Sequence, residues 1–247
     1  MRKIEDIIYN DKGMRLDLLL PDGEVKALLV YFHGGGLESG DYKQIWYFPP
    51  YLTERGIAIA TVDYSMYPDA EYPDFIEDCA DAVLWAKQNA LEYGLSSKLF
   101  VGGSSAGGFL SMMLCFNNEY YEKRGIKQSD ITGYLHDSGQ PTAHFNVLKF
   151  KGIDSRRVIV DETAPLYYIG LAEEYQPMLF IVGDNDMENR LEQTELVLST
   201  LKHFEYDQSK IDYHIMHGTH CEHLRSYDEN GDNIAGKAMY EFISKYI

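Results

Sequence analysis

The sequence predicts an α/β fold with a mainly parallel central sheet covered by helices on both faces. Three observations predict it. Short apolar runs alternate with longer segments whose apolar residues recur at helical spacing, which is the pattern of strand–helix–strand units. Gly103-Ser104-Ser105-Ala106-Gly107 reads G-x-S-x-G and stands between such a run and a helical segment. His33-Gly34-Gly35-Gly36 directly follows the first long apolar run.

Taken in order, 5–9 and 14–19 read as an antiparallel hairpin at one edge of the sheet. Residues 27–32 and 57–62 are strands, each a continuous apolar run of the kind a two-sided sheet buries. Residues 73–93 are a helix, with Phe75, Ile76, Cys79, Val83, Leu84 and Trp85 at helical spacing. Residues 99–101 form the strand before the G-x-S-x-G turn, and 108–116 the buried helix after it. Strands follow at 131–136, 178–182 and 211–216, with helices at 191–203 and 234–246. Residues 139–175 break this rhythm. They are rich in Pro, Tyr and His, and a connection of that length is expected to form a small cap over a pocket. The whole chain, 1–247, reads as one domain.

Hydrophobic residues make up 45% of the chain, ample for a sizeable core. The net charge is −17, from 39 acidic and 22 basic residues, which opposes nucleic acid and anionic membranes as partners. Three scattered cysteines, Cys79, Cys115 and Cys221, offer no disulfide framework, and the N-terminus carries no secretory pattern. No run approaches the length of a membrane span. A cytoplasmic location is therefore expected, with a small molecule as partner and self-association left open.

The candidate chemistry is acyl transfer. A serine at a sharp strand-to-helix corner exposes its hydroxyl and sits at a helix N-terminus, where negative charge is favoured. That makes Ser105 the candidate nucleophile; Ser104 beside it lacks the second glycine at the right offset. The glycines of 33–36 free backbone N–H groups, so Gly35 or Gly34 would pair with Ala106 as oxyanion donors. His33, Gly36 and Ser104 fall where substrate would lie. The orienting acid is Asp186, after the strand 178–182, with Asp184 as its rival. The base is His220, past the strand 211–216, with His217 second. His217, His220, Cys221 and His223 also admit a metal reading, but their spacing lacks the usual zinc framework, and no metal or cofactor is expected. Cys221 reads as a small buried residue rather than a second nucleophile. Of the 20 tyrosines, Tyr42, Tyr47, Tyr51, Tyr167, Tyr168 and Tyr175 are placed where aromatic walls could receive aryl or sugar esters.

With these motifs in view, the chain resembles the α/β-hydrolase fold, and within it the hormone-sensitive-lipase-like esterases and the BD-FAE-type (feruloyl and acetyl-xylan) bacterial esterases. The resemblance runs from about residue 26 to the end. It rests on 33–36, Val62-Asp63-Tyr64, Pro73, Asp78, Trp85, 103–108, Gly183, Asp186 and 218–220. It implies Ser105 as nucleophile, Asp186 as acid and His220 as base, with no cofactor. The implied activity is hydrolysis of short acyl or aryl esters, among them acetyl or feruloyl esters of plant carbohydrates. A thioesterase, or a non-catalytic binding protein on the same fold, is the alternative. The chain departs from the family at Leu37, Ser65, Ser104 and Cys221-Glu222, positions near the acyl pocket rather than at the reacting atoms.

Overall fold

In the computed structural model, which describes residues 1–45, 47–172 and 174–247, eight strands form one sheet. They are β1 (Arg2–Ile8), β2 (Arg15–Leu20), β3 (Ala27–Phe32), β4 (Ile57–Val62), β5 (Leu99–Ser104), β6 (Gly133–Asp137), β7 (Met178–Gly183) and β8 (Ile211–Met216). Their order is β1-β2-β4-β3-β5-β6-β7-β8. The first hairpin joins antiparallel, and every pairing from β4 to β8 is parallel.

The inner strands β3, β4 and β7 are apolar and buried along their length because both faces are covered. Along β3, Leu28, Val30 and Phe32 enter one core, while Leu29 and Tyr31 enter the other. The first core takes α2 (Asp74–Asn89), α3 (Ala106–Phe116) and α6 (Arg190–His203). The second takes α1 (Pro49–Thr53) and α7 (Ile234–Ile243), through Leu52, Met239 and Phe242. Two short helices, α4 (Glu119–Glu122) and α5 (Phe145–Phe150), lie in the connections. Each fully buried Leu, Ile or Phe contributes about 1.5–3 kcal/mol of transfer free energy, so the two layers hold the sheet rigid.

The order of strands locates the site. The chain runs from β3 outward to β4, then returns across β3 to β5. The carboxyl ends of β3 and β5 therefore flank the point where the winding reverses, where open α/β sheets bind ligands. The glycine run follows β3, and Ser105 follows β5.

Within residues 139–175, expected to form a small cap, α5 braces the loop after β3. His144 caps α5, its Nδ1 accepting from the Asn146 backbone N–H at 3.2 Å. Asn146 Nδ2 then donates to the Gly36 carbonyl at 2.5 Å and to Glu38 at 2.9 Å. The segment has its own small apolar cluster of Ala143, Leu148 and Ala164.

Candidate active site

Ser105 stands between β5 and α3 with φ 55° and ψ −114°, a conformation that costs a non-glycine residue about 1–3 kcal/mol. The corner is held by its neighbours. The Ser105 N–H donates to the Asp137 carbonyl at 2.8 Å. A Cβ on Gly103 would lie 2.6 Å from the Phe32 carbonyl oxygen, and one on Gly107 would strike that same oxygen. Both outer glycines of the motif are thus required by the close approach of α3 to the end of β3.

The loop after β3 packs directly on this corner. A Cβ on Gly34 would lie 3.2 Å from the Ser105 Cβ. Gly35 has φ 125°, open to glycine and strained for other residues, and this turns its N–H away from the strand direction. Among the described residues neither the Gly35 nor the Ala106 N–H has a backbone or side-chain acceptor, so both donors are free for a developing oxyanion. His33 supports the loop. Its ring stacks on Tyr64 at 4.4 Å and its Nδ1 donates to the Gly34 carbonyl at 2.6 Å, while Tyr64 donates to the His33 carbonyl at 2.8 Å. Burial pushes the His33 imidazole below its ordinary pKa, which keeps it neutral.

β7 and β8 end side by side, Gly183 opposite Met216, so the loops that follow them meet. His220 Nε2 lies 2.8 Å from Ser105 Oγ, and His220 Nδ1 lies 2.5 Å from Asp186 Oδ1. Burial works to raise the Asp186 carboxyl, but the hydrogen bonds from His220 and Ser138 and the backbone N–H of Met187 bring it down to about 2. An ionised carboxylate only accepts, so Nδ1 carries the proton and Nε2 presents its lone pair to the serine hydroxyl.

The rival residues form a separate pair. His217 Nδ1 meets Asp184 Oδ2 at 2.9 Å in solvent, and Asp184 Oδ1 accepts from the Gly218 N–H at 2.9 Å. His223, the third histidine, is buried against Asp137, with Nε2 to Oδ1 at 2.6 Å. Burial alone would lower the His223 pKa; the Asp137 carboxylate more than offsets this and raises it. Each histidine of the cluster thus faces its own carboxylate. Among the described residues no three such side chains converge as metal ligands. Cys221 Sγ is 3.8 Å from His220 Nε2, and burial pushes its thiol pKa well up, away from the reactive thiolate.

A cavity of about 530 Å³ opens beside Ser105 and His220. His33, Gly34, Gly35 and Ser104 line it. Gly36 does not; its carbonyl is turned to Asn146. Among the described residues nothing from 139–175 lines the cavity. Of the six tyrosines expected near substrate only Tyr47 does, with Arg225 4.9 Å over its ring, and Tyr31 joins it from β3. Tyr42 instead donates to Asp6, Tyr51 lies under Arg55, and Tyr175 holds the 168–172 turn. Sequence reasoning missed Ser138, which donates to Asp186 Oδ2 at 2.8 Å, and the Asp137–His223 pair; only the placement of 137–138 at a strand end hinted at them.

Residues 16–153, more than half of the chain, match the model of the BD-FAE family. The chain belongs to the BD-FAE family. The family match contains the glycine loop and Ser105, while Asp186 and His220 lie beyond it. Mouse hormone-sensitive lipase is 29% identical over 151 residues, 57% of this chain and 20% of the lipase. The carboxylic ester hydrolase LipN of Mycobacterium tuberculosis is 35% identical over 98 residues, 38% of this chain and 26% of LipN. The matched region is thus 20% and 26% of these relatives' own length. Among solved structures, esterase B of Lactobacillus rhamnosis superposes with a TM-score of 0.78 at 17% identity, over 99% of this chain and 85% of that one. A truncated carbohydrate esterase from gut microbiota gives a TM-score of 0.78 at 16% identity, over 100% and 96%. The fold is that of the α/β-hydrolase esterases. Among the described residues no helix is long and apolar enough to cross a membrane.

Proposed function

We propose that the protein is a carboxylesterase using Ser105, His220 and Asp186, with the Gly35 and Ala106 N–H groups, helped by Gly34, as the oxyanion hole. One observation carries the reading: an unbroken relay of 2.8 Å from Ser105 Oγ to His220 Nε2 and 2.5 Å from His220 Nδ1 to Asp186. Ser105 Oγ attacks the ester carbonyl as its proton passes to Nε2. Asp186 stabilises the imidazolium, and the two N–H groups hold the oxyanion. The imidazolium then protonates the departing alcohol, leaving an acyl-enzyme. Water, deprotonated at Nε2, attacks that acyl group, and Ser105 leaves with its proton restored. The residues of the relay complete this cycle without a further group.

The preferred substrates are short acyl esters, with acetyl or feruloyl esters of carbohydrates as the class within them. The family match, and a carbohydrate esterase among the similar folds, support this. So does the cavity, where Tyr31, Tyr47 and Arg225 offer aromatic and polar surface together. The test is hydrolysis of p-nitrophenyl acetate, p-nitrophenyl octanoate and methyl ferulate. Faster turnover of acetate than octanoate, with measurable ferulate release, is expected. Preference for octanoate would contradict the substrate class, and failure to cleave any ester would favour a thioesterase or a binding protein.

A further inference from the structure

We propose that a second cavity, lined in part by the residues that follow Asp186 in the chain, binds a phosphate group. It has a volume of about 260 Å³, and Gln140, Phe145, Arg156, Arg157, Arg190 and Gln193 are among its lining.

Arg190 carries the inference. It is only 5% exposed, yet among the described residues no carboxylate lies within ion-pair distance of it. Asp186 is near but already filled: Oδ1 accepts from His220 and the Met187 N–H, and Oδ2 from Ser138 and the Gly183 N–H. Arg190 Nη1 donates to the Ser138 carbonyl at 3.0 Å, and its buried Nε has no partner. Burial works against the Arg190 guanidinium more strongly than the nearby Asp186 carboxylate favours it, so its charge is only partly compensated. One turn along α6, the buried Gln193 Oε1 is a second orphan, this time an acceptor. Both residues line the cavity, and one carries an unmet donor, the other an unmet acceptor. Hydrogen phosphate, or a phosphate monoester in its singly protonated form, satisfies both, its P–O⁻ accepting from Arg190 and its P–OH donating to Gln193. A carboxylate can satisfy only the first.

The surroundings agree. The cavity meets the first turn of α6, a helix of 14 residues, and the preceding Asn189 has φ 63° and makes no side-chain cap, so the helix start is open to an anion. Arg156 and Arg157 add two exposed guanidiniums, of which Arg156 is held to Asp154. Glu188 is the one carboxylate among the described lining residues. In a chain of net charge −17, this is a local reversal of sign.

Calorimetric titration of the whole protein with inorganic phosphate, glucose 6-phosphate and succinate tests the proposal without reference to esterase activity. Saturable phosphate binding is expected, weakened about 3- to 10-fold in Arg156→Gln/Arg157→Gln and lost in Arg190→Gln. The double variant changes only exposed side chains and keeps the test valid if Arg190→Gln fails to fold. It should also hydrolyse p-nitrophenyl acetate at the wild-type rate. Tighter binding of glucose 6-phosphate than of inorganic phosphate would identify a phosphorylated organic ligand, and equal binding a free anion; either supports the site. No saturable heat with either phosphate, equal affinity for succinate, or unchanged phosphate binding in the double variant would overturn it.

Discussion

Replacing His223 by alanine would strip the buried Asp137 carboxylate of its one side-chain hydrogen-bond partner among the described residues. Both side chains are 1% exposed and their atoms are 2.6 Å apart, while Asp137 Oδ2 already lacks a hydrogen bond. Removing one member of such a pair costs about 3–5 kcal/mol, because the remaining charge stays out of water. For a domain of this size each kcal/mol lowers Tm by roughly 2–4 °C, so a fall of about 6–20 °C is expected. The pH dependence has a definite sign. The folded-state pKa of His223 lies above its ordinary 6.5, so the pair's contribution is complete below that value and is lost as pH rises through the folded one. The gap between wild type and His223→Ala should therefore be widest in mild acid and shrink in alkali. Urea melts of both proteins from pH 5.5 to 9 measure it. His223 also anchors the loop that carries His220, so activity should fall alongside stability. A Tm change below about 2 °C, or a gap that widens with pH, would refute the reasoning.

Three more outcomes follow from the same geometry. Asp186→Asn should lower ester turnover by about 10⁴ through the wrong imidazole tautomer, whereas Asp184→Asn, in its solvent-exposed pair, should stay within a few-fold; the reverse ranking in steady-state kinetics would move the acid to Asp184. Burial pushes His136 and His144 down to about 3, so the unfolded chain takes up protons that the native one refuses between pH 6.5 and 3. Stability measured by urea should fall by roughly 2–3 kcal/mol per pH unit at most across the middle of that range, and a flat profile would contradict their buried, neutral state. Asn146→Ala should release the Gly36 carbonyl and loosen the oxyanion loop, lowering kcat more than it raises KM; a change confined to KM would assign Asn146 to substrate instead.

Local pattern made much of this architecture readable. β3 and β4 occupy the segments their apolar runs mark, because a strand buried on both faces has little freedom in composition. Boundaries moved where tertiary contacts override local signals. β5 runs on through Gly102 and Gly103 to Ser104, since the glycines that read as a turn are here small residues packed against Leu135 of β6 and against the start of α3. α1, with two prolines at its start, carried no periodic signal and forms because Leu52 fills the space against α7. Ser105 and the glycine loop were legible because their backbone geometry demands particular residues. Which carboxylate faces which histidine was not fully legible: Asp186–His220, Asp184–His217 and Asp137–His223 are joined across 34, 33 and 86 positions by the order of strands. The packing of 139–175 was illegible for a related reason, since its length predicts an excursion but not that Ala143, Leu148 and Ala164 would form a small apolar cluster of their own.

The most direct test of the account is to treat the protein with a fluorophosphonate and locate the adduct by peptide mass spectrometry. The relay predicts a single phosphonyl group on Ser105, loss of ester hydrolysis in proportion to labelling, and no adduct in Ser105→Ala or, at matched times, in His220→Ala. Labelling at Ser104 or Cys221, or undiminished labelling without His220, would contradict it.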